Sequence, residues 1–155
     1  MTGRNVSERP AALTARLRAA AAELIRVIEP IGDDRWRHVP SPGVWSIGKD
    51  AEHVTEAAMY HQWIIRTTIG DDVSPRRPAI ERNRMTTVLS PLEAVELLRQ
   101  RTEDGATLLL ALTDRQLDLA TRPPRARAQR LAETIERVLV GHYDAHRSAI
   151  EAKLR

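Results

Sequence analysis

Apolar side chains recur every three or four residues in four long stretches of the chain, and polar segments rich in Pro and Gly separate them. This pattern predicts helices rather than strands. In the first stretch, from about Pro10 to Glu29, the stripe is Leu13, Leu17, Ala20, Leu24, Val27 and Ile31, and Pro30 with Gly32 ends it. A linking segment with Trp36, Pro40, Pro42 and Gly43 leads to Ser46, whose hydroxyl can cap the second helix. That helix carries Ile47, Ala51, Val54, Ala58, His61 and Ile65 on one face and closes at Gly70. No period holds from Asp71 to Leu89, a long loop containing Pro75 and Pro78. Ser90-Pro91-Leu92-Glu93 reads as a capping box with proline at the first helical position, so the third helix starts there and continues to about Leu112, softly interrupted at Gly105. Thr113-Asp114 caps a short turn around Leu117. After Pro123 and Pro124 the fourth helix is expected from near Ala126 almost to Arg155, with Leu131, Ile135, Val138, Leu139, His142, His146, Ala149 and Ile150 on its apolar face.

Four such helices predict an all-α four-helix bundle. The loop between the second and third helices is long enough to recross a bundle, because a 20-residue helix spans roughly 30 Å and extended chain covers about 3.3 Å per residue. The expectation is an up-down-down-up path in one domain over residues 1–155. Phe is absent and Trp and Tyr are few, so Leu, Ile, Val and Ala must fill the core, which suits closely packed helices. The 24 basic and 21 acidic residues leave a formal net charge of only +3, too mild to imply nucleic acid without a concentrated patch. With no cysteine, disulfides, thiolate metal sites and a cysteine nucleophile are excluded. Met1 to Pro10 has no apolar signal core, and no apolar run approaches a membrane span, so a cytoplasmic protein without a membrane partner is expected.

Candidate chemistry sits in three histidines. His142 and His146 are four apart, so on a helix they project from one face about one turn apart. His53 lies two turns into the second helix, and in the expected topology it is level with that pair. Two imidazoles buried one turn apart would each need a polar partner, and one metal ion satisfies both. Three neutral imidazoles suit Zn, Ni, Fe, Mn or Co and leave positions open for water or substrate. A lone histidine on an apolar face is ordinarily a satisfied core residue. That is the reading for His61, with pocket wall as its alternative, while His38 is read as exposed and Glu56 as surface charge.

Trp45-Ser46, the following His53, and His142-x-x-x-His146 ahead of Ile150 together resemble the DinB/YfiT-like superfamily of four-helix metal-binding proteins. The resemblance spans most of the chain. It implies that His53, His142 and His146 are the metal ligands. It also implies a thiol-dependent enzyme, joining a low-molecular-weight thiol such as mycothiol or bacillithiol to an electrophile, and a tendency to form homodimers. A related branch, the sulfoxide synthases of ergothioneine synthesis, carries a Glu two residues beyond the second paired histidine. Ser148 stands there in this chain, so the oxygenase reading gains no support. The Pro- and Arg-rich approach to the fourth helix, Arg122 to Arg130, departs from the shorter turn that the family would suggest.

Arg76, Arg77, Arg82 and Arg84 on the crossover, and Arg122, Arg125, Arg127 and Arg130 before the fourth helix, lack interleaved aromatics, so nucleic-acid binding is disfavoured. The crossover ends beside the expected metal site and the second group at the opposite end. Arg82 and Arg84 are therefore candidates to hold the carboxylates of a thiol cofactor. The pocket rim is expected from Trp36 to Trp45 and from Arg82 to Ser90, with Tyr60 and His61 deeper. A small-molecule substrate follows from this reading. The alternative is a metal-binding stress or interaction module without turnover.

Overall fold

The computed structural model describes residues 7–71, 76–123 and 129–155. Residues 1–6, Pro75, and the Pro124, Arg125, Ala126 and Arg127 of the approach to the last helix lie outside the described residues. The described chain is helical: α1 (Glu8–Ile28), α2 (Asp33–Arg37), α3 (Ile47–Ile69), α4 (Pro91–Leu110), α5 (Asp114–Leu117), α6 (Leu131–Thr134), a π-helical segment (Ile135–Val140) and α7 (Gly141–Leu154). No strand occurs among the described residues, and no described helix is long and apolar enough to cross a membrane.

The predicted caps explain where α3 and α4 start. Ser46 accepts a hydrogen bond from the Lys49 amide, and Ser90 forms the full reciprocal box with Glu93. Gly70 closes α3 at φ 79°, a left-handed position where a side chain would be strained. α1 packs on α4 and α7, and α3 packs on the same two. Side-chain pairs give the directions. Arg18 meets Glu103 and Arg99 meets Glu29, so α1 and α4 run in opposite senses. Glu52 meets Thr87 while Gln62 meets the Arg101 carbonyl farther along, so α3 and the approach to α4 run the same way. Asp50 and His53 lie against His146, and His61 lies against His142, which sets α3 antiparallel to α7.

Two segments differ from the sequence expectation. The fourth helical stretch begins at Leu131 rather than near Ala126. The Thr121 amide donates to the Gln129 carbonyl and the Leu131 amide to the Leu119 carbonyl, both at 2.8 Å, around an isolated Ala120–Arg130 bridge. Backbone spent on that bridge cannot also turn helically. The linking segment also contains the short helix α2, and Trp36 on it is not rim but core: it is 0% exposed, and its indole N–H donates to the Leu89 carbonyl at 2.9 Å. Gly48 permits this, because a Cβ there would lie 2.6 Å from both Trp36 Nε1 and Thr87 Cγ2.

The π-helical segment has a functional consequence. Its wider turns shift the phase of the last helix, so Leu139, Val140, Tyr143 and Ile150 form the buried stripe, while the predicted Val138 is only partly buried. Tyr143 fills the core and shares a 3.1 Å hydrogen bond with Thr102. His142 and His146, half-buried, lie against His53 on α3.

Candidate metal centre

His53, His142 and His146 come together between the first turns of α3 and the first two turns of α7, and one ring nitrogen of each lies within 4.8 Å of the other two. Ring centroids are 4.9 Å apart for His53 with either partner and 4.5 Å between the paired histidines. Buried His53 Nδ1 and His142 Nε2 have no hydrogen-bond partner. Buried polar nitrogens left without partners are costly, and a shared cation would satisfy them, so the residues present fit a divalent ion.

The protonation state suits ligation as well. Burial, then the neighbouring histidines and the Arg82 charge, push the His53 imidazolium down to about 4 and that of His142 to about 3. Both rings are therefore neutral at physiological pH, the form that binds metals. In the unfolded chain they would titrate near pH 6.5. Between those values the unfolded state holds more protons, so stability falls as pH drops. The metal-free protein should lose about 1.4 kcal/mol per pH unit for each of the two histidines between about pH 6.5 and 4. Urea denaturation across that range checks it, and a flat profile would show that the cluster carries no such penalty.

His146 is oriented by a residue that sequence reasoning passed over. Its Nδ1 lies 2.8 Å from Asp50 Oδ1, and Lys153 contacts the other carboxylate oxygen. With the carboxylate as acceptor, Nδ1 carries the proton and Nε2 presents its lone pair, the arrangement common around metal-bound histidines. The signal was available: Asp50 precedes His53 by three residues on one helix face, and Lys153 lies in the last turn of the antiparallel partner.

The remaining predicted residues divide. Trp45 packs against His53 at 5.0 Å and stacks on His146 at 6.4 Å, so it flanks the cluster. Buried His61 lies edge-on to His142 at 5.4 Å and forms part of the site wall. Tyr60 stacks on Trp63 and lies beneath the Arg77 guanidinium, one residue beyond the wall. Arg84 is occupied by Glu81 at 3.1 Å and by Glu52 at 3.6 Å. Glu56, read from sequence as surface charge, is half-buried and accepts the Glu81 amide at 3.1 Å. An open groove of about 530 Å³ between α1 and α4 contains none of these side chains.

Lys49 and Glu52 complete the surroundings. Lys49 is 0% exposed, and its ammonium donates to Glu52 Oε2 and to the Glu81 carbonyl at 2.8 Å, and to Glu81 Oε2 at 3.0 Å. Burial pulls this ammonium toward neutrality, but the two carboxylates outweigh it and the net shift is upward. Glu52 also accepts the Thr87 hydroxyl at 3.0 Å. The crossover is thereby fastened over the start of α3, beside His53.

No curated protein and no solved structure matches the chain. A family profile, that of the DinB superfamily, matches residues 16–150. The match takes in all three histidines, the two helices that bring them together and the crossover that covers them, and the helical, strand-free architecture agrees with it. With most of its length matched and a three-histidine group placed where a metal could be held, this chain belongs to the DinB superfamily.

Proposed function

We propose that the chain is a divalent-metal-dependent enzyme that transfers a low-molecular-weight thiol, mycothiol or bacillithiol in class, to an electrophile. His53, His142 and His146 would be the protein ligands, for Zn, Ni, Fe, Mn or Co. The observation that supports this reading is the convergence of three imidazoles, two of them with buried, partnerless nitrogens. When bound, a divalent ion would supply positive charge that makes a thiol acidic near neutral pH. Asp50 fixes the His146 ring, and Trp45 covers one side of the cluster with apolar surface. In the transfer itself the thiol proton departs to solvent, sulfur bonds to the electrophilic carbon, and the leaving group takes the electron pair of the bond that breaks.

Protein purified without a histidine tag, loaded with each metal in turn, is to be mixed with mycothiol or bacillithiol and monochlorobimane. The fluorescent thioether is expected to form faster than the uncatalysed background in proportion to metal occupancy, and chelation should stop the excess. Stoichiometric metal with neither calorimetric thiol binding nor excess rate would overturn the enzyme reading in favour of a module without turnover.

A further inference from the structure

Residues 81–84 of the crossover form a turn fastened to the same helix that carries His53. Lys49 and Glu56, one turn before and one turn after His53, both hold Glu81: Lys49 donates to its carbonyl and carboxylate, and Glu56 accepts its amide. The Glu81 carboxylate then accepts the Asn83 amide at 2.7 Å, the Arg84 amide at 3.2 Å and Arg84 Nε at 3.1 Å. Every residue flanking position 82 is thus committed. Arg82 itself is exposed and makes no hydrogen bond or ion pair among the described residues. The acidic groups that could neutralise it are engaged elsewhere, Glu52 by Lys49 and Thr87, Glu81 by Lys49 and Arg84.

We propose that Arg82 is the anion-recognising residue of the histidine site, held over it by this fastened turn, and that one of the natural ligands of that site carries a carboxylate. Arg84, its near neighbour, is the brace of the turn. Lys49 and Glu56, four residues before and three after His53, share its face of α3, so the turn they hold lies on the cluster's side of the helix. A guanidinium offers a planar fork of donors matched to a carboxylate, and its positive charge adds to long-range attraction for an anionic ligand. The choice of a thiol as ligand rests on the function proposed above, whereas the carboxylate does not.

The test uses the full chain and two probe pairs, N-acetylcysteine with its amide and the sulfur-free N-acetylalanine with its amide, titrated by amide NMR. The sulfur-bearing pair is read on zinc-loaded protein and the sulfur-free pair with and without zinc. In each pair the acid is expected to bind about 10-fold more tightly than the amide, a preference that shrinks with added salt. Arg82→Gln should erase the preference while amide binding and metal content stay unchanged, and Arg82→Lys should restore part of it. An acid preference that survives in Arg82→Gln, or is missing from the unmodified protein, overturns the assignment. So does metal loss in both Arg82 variants, which would make the residue structural. If N-acetylcysteine binds no better than N-acetylalanine, the thiol reading fails while the sulfur-free pair still decides the role of Arg82.

Discussion

Replacing His142 by Ala is expected to remove the stoichiometric divalent ion from protein purified without a histidine tag. The imidazole lies 4.9 Å from the His53 ring and 4.5 Å from the His146 ring, and among the described residues only these three form a group with the spacing to hold an ion. His61, 5.4 Å away on α3, is the nearest imidazole, and it points edge-on at His142 rather than into the group of three. The loss should therefore exceed the 10- to 100-fold drop typical when only an outer partner of a ligand is removed. Asp50→Asn supplies that smaller benchmark, because it keeps His146 in place but weakens the hold on its Nδ1 proton. Elemental analysis of both variants beside the unmodified protein measures the difference. A second readout does not need the metal: without its imidazole, the metal-free His142→Ala protein should lose less stability than the parent between about pH 6.5 and 4. Full metal retention would show that the three histidines are not the ligands.

The sequence displayed this ligand set more clearly than the machinery around it, and the reason is physical. Period and capping depend on residues near one another in the chain, so Ser46, Gly70 and the Ser90–Glu93 box mark α3 and α4 from local pattern alone. The His142 and His146 spacing is equally local. The phase of the last helix is not. Nothing between Leu131 and Gly141 announces the π-helical turns, and a regular 3.6-residue period places Val138 in the stripe that Val140 and Tyr143 fill. The start of that helix was displaced for the same kind of reason, since pairing between residues 119–121 and 129–131 competes with helix formation and is a long-range event. Trp36 appeared as a linker aromatic because its hydrogen-bond partner, Leu89, lies 53 residues away.

From sequence Glu56 reads as surface charge, and Lys49, Asp50 and Glu52 are passed over, for one reason. Acidic and basic residues in the first turns of a helix ordinarily mean a solvated end, with the acids complementing the helix dipole. Here Asp50 is consumed by His146 and Lys153, and the other three are covered by a crossover that returns over them. The loop has no internal secondary structure among its described residues, so hydrogen bonds to these side chains hold it. Ser46 adds to them through its amide, which donates to the Met85 carbonyl at 2.8 Å, and Arg37 through its guanidinium, which donates to the Thr87 carbonyl at 2.6 Å.

Lys49→Met should accordingly cost roughly 3 kcal/mol of stability, within the range for breaking a buried ion pair by removing one partner. Methionine fills much of the same volume, so the loss is electrostatic rather than a cavity effect. Glu52, whose side chain is 8% exposed, would keep the Thr87 hydroxyl and Arg84 at 3.6 Å but lose its closest cation, and the Glu81 carbonyl would lose its donor. The measurement belongs on metal-free protein, because a bound ion would add its own stabilisation by mass action and mask the difference. Adding Glu52→Gln to Lys49→Met should recover part of the loss, since the uncompensated carboxylate is then gone. Amide exchange at residues 83 and 84 should quicken in Lys49→Met even under conditions where the helices remain protected, because the turn loses its main tether to α3. A stability change below about 1 kcal/mol with unaltered exchange would mean that the crossover is held by Trp36, Arg37 and Ser46, and that the ammonium is incidental to it.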